Sequence, residues 1–134
     1  MNPQAEHATS PFTVDTWDES VYDDAPTAKL ARTHLTKTFT GDVEGTSVVE
    51  ILTVHNPDGP AAYVGIERVD AAVHGKRGTF VLQHNASVVD GVPSLAITVV
   101  PGTGSGALEG LRGNAKVTID SEGTHTLELD YTLP

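Results

Sequence analysis

The chain has no cysteine. Disulfide staples and thiol chemistry are therefore excluded, and the absence is neutral between redox compartments. It has one methionine, at the first position, one tryptophan, and only 5% aromatic residues. Its core must then come from Val, Leu, Ile, Ala and a few rings. Basic residues are scarce, eight against eighteen acidic, for a net charge of −10. Such a surface repels phosphate backbones, so nucleic acid is not an expected partner. No apolar run approaches the roughly 20 residues of a membrane helix, and no membrane contact is expected. The opening M-N-P-Q-A-E-H-A-T-S-P lacks the basic start and apolar middle of a signal peptide. The expected location is cytoplasmic.

Familiar chemical motifs are also missing. The six histidines, His7, His34, His55, His74, His84 and His125, form neither H-x-H nor H-x-x-x-H. No metal and no cofactor is expected from that spacing. Val99 to Gly113 reads V-V-P-G-T-G-S-G-A-L-E-G-L-R-G. A dinucleotide fingerprint needs G-x-G-x-x-G opening a helix after a strand. Counting from Gly102 the third glycine falls on Ala107, and counting from Gly104 it falls on Glu109. There is no phosphate-binding G-x-x-x-x-G-K-[ST] and no G-x-S-x-G elbow. Asp18, Glu19, Asp23 and Asp24 lack the calcium-loop pattern and read as a solvated acidic loop.

What the sequence does hold is strand pattern. At 134 residues it has the length of one domain. Residues 1–11 read as a flexible N-terminal arm, and 12–134 as the folded domain. Eight runs are strand-like: 12–17, 29–40, 46–54, 61–73, 79–89, 95–100, 114–120 and 125–133. The segment 18–27 reads as a long acidic loop, and Gly41 to Gly45 as a turn. Asn56-Pro57-Asp58-Gly59-Pro60 is the clearest turn, since its residues fit turn dihedrals and proline blocks strand pairing. No convincing amphipathic helix intervenes. Short turns between consecutive strands make an antiparallel meander. The expected fold is all-β, a single closed or nearly closed antiparallel eight-stranded barrel, which leaves no free edge and has room for one small ligand. The glycines of 99–113 mark a corner, with Gly102, Gly104 and Gly106 sharing one face of a bent strand.

Alternation along the strands yields candidate site residues. If Tyr63 points inward, so do Gly65 and Glu67. Gly65 favours that choice, because a small residue relieves crowding on a concave face. If His84 points inward, so does Phe80. If Glu50 points inward, so do Val48 and Leu52. Glu50, Glu67 and His84 each sit on an otherwise apolar face and are the catalytic candidates. A carboxylate there has a raised pKa unless a cation or donors compensate. Trp17, Glu50, Tyr63, Glu67, Phe80 and His84 are the candidate ligand-binding residues. The alternative is an internal hydrogen-bonded network that holds the barrel together. For Trp17 and Tyr63 the alternative is end-of-barrel core.

Several short motifs resemble one bacterial family, the DUF3224 proteins. They are Trp17-Asp18-Glu19, Gly41 to Gly45, Ala62-Tyr63-Val64-Gly65 with Glu67-Arg68, Gly78 to His84, Val99 to Gly113, and Asp130-Tyr131. The resemblance covers about Phe12 to Leu133. It implies a barrel similar to that of plant allene oxide cyclases and a homo-oligomer, and it implies no established activity. Three functions stay open. The first is a small-molecule-binding barrel whose partner is a small apolar or aromatic molecule. The second is an isomerase or cyclase using an interior carboxylate. The third is a structural oligomeric barrel with a filled core.

Overall fold

The computed structural model describes residues 4–134. Eight antiparallel strands follow one another: β1 Glu6–Asp24, β2 Lys29–Phe39, β3 Val43–Asn56, β4 Gly59–Val73, β5 Lys76–Val89, β6 Val92–Val99, β7 Arg112–Ile119 and β8 His125–Thr132. Each pairs with the next, and β1 pairs with β8, so the sheet closes into a barrel. The expected all-β meander is therefore present. His74–Gly75 and Asp90–Gly91 carry positive φ at both positions. Such turns match the right-handed twist of hairpin strands.

β1 departs from expectation. Residues 4–11 were expected in a flexible arm, yet from Glu6 onward they are strand, paired with β8 from Glu6↔Tyr131 to Phe12↔His125. The acidic segment beyond Trp17 is not a loop either; it continues β1 along β2 as far as Asp24↔Lys29. The pairing slips between Val14 and Thr16 and again between Val21 and Asp23. Each slip inserts a residue and shifts the inward parity, so the alternation a reader looks for is interrupted. Residues 1–3 lie outside the described residues.

The glycine-rich segment is a corner of a different kind. β6 ends at Val99, and residues 100–111 form an irregular connection with one short 3-10 turn, Gly106–Leu108. The connection lies along β5, where Val100 N–H donates to Val81 O at 2.9 Å and Ser105 N–H to Thr79 O at 2.9 Å. Side chains replace backbone in the same ladder: Val81 N–H donates to Thr103 Oγ1 and Thr79 N–H to Ser105 Oγ. Gly104 belongs here for a steric reason, because a Cβ at that position would stand 2.0 Å from Leu108 O. The connection delivers Leu108 and Leu111, both fully buried, into the end of the barrel. There they join Phe39, Val73, Phe80 and Leu129 in a dense aliphatic and aromatic core.

Candidate functional site

The other end of the barrel is not filled. Residues from all eight strands line a cavity of about 470 Å³. Burial falls steeply along it: Leu35, Val49 and Ile97 are 1–2% exposed, whereas Trp17 and Ile119 are 61% and 62% exposed. The mouth therefore lies at the end of the β1–β2, β3–β4, β5–β6 and β7–β8 hairpins. Apolar and aromatic side chains make most of the wall, with Lys37 and His84 as polar groups toward the inner end and Glu19, Thr53, His55 and His125 elsewhere along it.

Lys37 and His84 meet behind that wall at Glu67, which is 1% exposed. Parity puts it there, since Tyr63, Gly65, Glu67 and Val69 share the inner side of β4. Its carboxylate is 2.7 Å from His84 Nε2, 2.6 Å from Ser47 Oγ and 3.4 Å from Lys37 Nζ. Burial by itself pushes the carboxyl up, but the His84 hydrogen bond, the Lys37 charge and the Ser47 hydroxyl outweigh it and hold it below the ordinary value. The raised pKa expected of a lone interior carboxylate is thus reversed by compensation. An ionised carboxylate only accepts, so Nε2 of His84 is the donor. The Lys37 ammonium also stands 4.6 Å over the centroid of the Phe12 ring, a cation–π contact.

The sequence candidates divide on this geometry. Glu67 and His84 come together, and Trp17 and Tyr63 line the cavity. Burial, and then the Glu67 charge, raise the Tyr63 phenol above its ordinary value. Phe80 points inward as expected but is fully buried in the filled end, away from the cavity wall. Glu50 points outward, with Val48 and Leu52, correcting the inward option. There it binds His34 Nδ1 at 2.7 Å and Arg32 Nε at 3.2 Å. The His34 hydrogen bond, then Arg32, hold its carboxyl below the usual range. Lys37 and Ser47 escaped the sequence reading. A signal existed: Lys37 lies between Leu35 and Phe39 on the apolar side of β2, and Ser47 between Val43 and Val49 on that of β3.

Among the described residues no group of three or more His, Cys, Asp or Glu could hold a metal ion. No helix there is long and apolar enough to cross a membrane.

Fold and cavity together define a closed antiparallel eight-stranded β-barrel with one end packed and the other hollow. The chain belongs to the family described as protein of unknown function (DUF3224), whose model matches residues 8–131. It is similar to the crystal structure of a protein of unknown function from the same family in Shewanella oneidensis MR-1. The two share 32% sequence identity over 98% of this chain and 100% of that one, with a TM-score of 0.85. No curated protein matches the chain.

Proposed function

We propose that this protein binds a small apolar or aromatic molecule inside its barrel. The observation that carries the reading is the cavity of about 470 Å³, open at the hairpin end and walled mainly by apolar side chains. Ligand sites are typically concave, mostly apolar and of about 300–1,000 Å³, with a few placed polar groups. His84 and Lys37 are such groups here. Native mass spectrometry of protein purified from its own host tests the reading. The expected result is an added small-molecule mass that is lost on denaturation. A protein that carries only its own mass, and whose Trp17 fluorescence responds to no apolar additive, would remove the reading.

One contact favours a second reading, an isomerase or cyclase. Glu67 holds His84 through Nε2 at the edge of the cavity. A carboxylate-oriented imidazole is a common acid–base device. In that reading His84 exchanges the proton and Glu67 positions it. Turnover by the wild type that disappears in Glu67→Gln while ligand binding persists is the result that separates catalysis from carriage.

A further inference from the structure

We infer that the cavity is built for an apolar molecule bearing one hydroxyl group, of the phenol type, whose O–H is donated to Nδ1 of His84. The inference rests on the cavity-binding reading and adds the chemistry of the ligand to it.

Glu67 is the starting point. Its ionised carboxylate can only accept, so the contact at 2.7 Å fixes the proton of His84 on Nε2. Charge balance fixes the rest. Lys37 already supplies the counter-charge to Glu67, with Nζ 3.4 Å from each carboxylate oxygen. A ring that carries its single proton on Nε2 completes, with Lys37 and Glu67, a buried cluster of zero net charge. The neutral ring with Nε2–H leaves Nδ1 as a lone-pair acceptor.

That acceptor belongs to the cavity. His84 lines it and is itself 6% exposed. Among the described residues the only fully enclosed side-chain polar atom lacking a partner is Thr33 Oγ1, so Nδ1 of His84 is not sealed inside the wall. Buried acceptors are normally satisfied, by protein, water or ligand. Lys37 does not duplicate this role, because its ammonium is engaged by Glu67 and rests on the Phe12 ring. The inner end of the cavity thus offers one oriented acceptor facing walls such as Val49, Ile51 and Ile97. A phenol is complementary to it: one donor on an apolar body. A carboxylate is not, since it would bring a lone-pair acceptor against another acceptor.

The test titrates the full chain calorimetrically with para-butylphenol, butylbenzene and para-butylbenzoate. It also reads the His84 ring nitrogens by NMR. The phenol is expected to bind about tenfold more tightly than butylbenzene, the worth of one net hydrogen bond. His84→Phe, which keeps a ring in place, is expected to erase that difference without abolishing binding of butylbenzene. The NMR spectrum is expected to show a protonated Nε2 and a bare Nδ1 whose signal moves when the phenol is added. Equal affinity for phenol and butylbenzene, preference for the benzoate, or a proton found on Nδ1 overturns the hydroxyl assignment and leaves the cavity reading standing. If none of the three compounds binds, the cavity reading itself falls. Should His84→Phe fail to fold, the wild-type ligand series and the NMR tautomer decide the matter alone.

Discussion

At the packed end of the barrel Phe39, Phe80, Leu82, Leu108, Leu111 and Leu129 are all below 2% exposure, while at the hairpin end Trp17, Leu95 and Ile119 are 61%, 44% and 62% exposed. All of the strand residues among these hold inward positions, so parity does not separate the two ends. What separates them is a plug. The 100–111 connection folds under the packed end and inserts Leu108 and Leu111, whereas tight turns close the hairpins and send nothing inward. A barrel of this strand number can be filled by side chains or hold one small ligand. This chain does each at a different end. The Glu67 cluster stands between the two environments, where it has the core behind it and the cavity in front. Every partner of Glu67 there is a donor, as a buried carboxylate requires.

The comparison breaks most visibly by removing equal kinds of residue from each end. Phe80→Ala, in the packed end, is expected to cost about 4 kcal/mol, the usual scale for emptying a buried phenylalanine site. Ile119→Ala, at the mouth, is expected to stay within about 0.5 kcal/mol, as exposed substitutions do. Urea denaturation of both variants checks this. Similar losses would mean that the mouth is covered in solution and that the two ends are not different.

Next in size is the boundary between them. Glu67→Gln leaves Lys37 buried without its anion and is expected to cost about 3 kcal/mol at neutral pH. The pH dependence has a definite sign. The folded-state pKa of Glu67 lies below its ordinary value. Its stabilising contribution is therefore complete above the ordinary carboxylate range and is lost as pH falls through the lower folded value. The stability gap between wild type and Glu67→Gln should narrow on acidification through that range. A gap that is constant with pH would show that the carboxylate's charge contributes nothing.

The legibility of the sequence follows the same division. The eight-strand meander could be read because hairpin turns such as Asp90-Gly91 are local signals. Parity on β4 and β5, where no slip intervenes, grouped Glu67 with Tyr63 and His84 with Phe80, and Gly65 favoured the inner side for Glu67. β1 resisted because its bulges reset the parity and its outward residues are acidic. Glu50 resisted because β3 has apolar residues on both sides, with Val48, Leu52 outward and Val49, Ile51 inward. That Lys37 and Ser47 meet Glu67 depends on cross-strand register, which no single strand encodes. The cavity depends on how far side chains reach across a barrel, and the plug on the path of an irregular segment, so neither has a local pattern.

The plug allows a sharper experiment with a smaller effect. Gly104→Val would set its Cβ 2.0 Å from the carbonyl oxygen of Leu108, so the connection must shift. The expected loss is about 2 kcal/mol, in the range for overpacking. Ser105→Ala removes a hydroxyl that accepts from Thr79 N–H and bonds Thr79 Oγ1, at an expected cost of about 1 kcal/mol. Thermal melts of the two variants give the order. If Gly104→Val proves no worse than Ser105→Ala, the connection is too loose to act as a plug.

A further small effect is expected in the hollow half, and it has the opposite sign. Thr33 points inward on β2 and is 1% exposed, between Glu19 of β1 and Ile51 of β3. Its Oγ1 is enclosed and has no hydrogen-bond partner. An unpaired buried hydroxyl loses its water without recompense, and swapping it for a methyl group of similar shape removes that penalty. Threonine and valine are both β-branched, so the strand conformation and rotamer preference are kept. Elsewhere the exchange is not conservative, because a partnered hydroxyl would be lost; here there is no partner to lose. Thr33→Val is therefore expected to stabilise the ligand-free protein by about 1 kcal/mol, a rise of about 4 °C in Tm. A thermal melt without added ligand measures it. A fall in Tm of the same size would show that the hydroxyl is hydrogen-bonded in solution, and with it that water reaches this part of the wall behind the apolar lining.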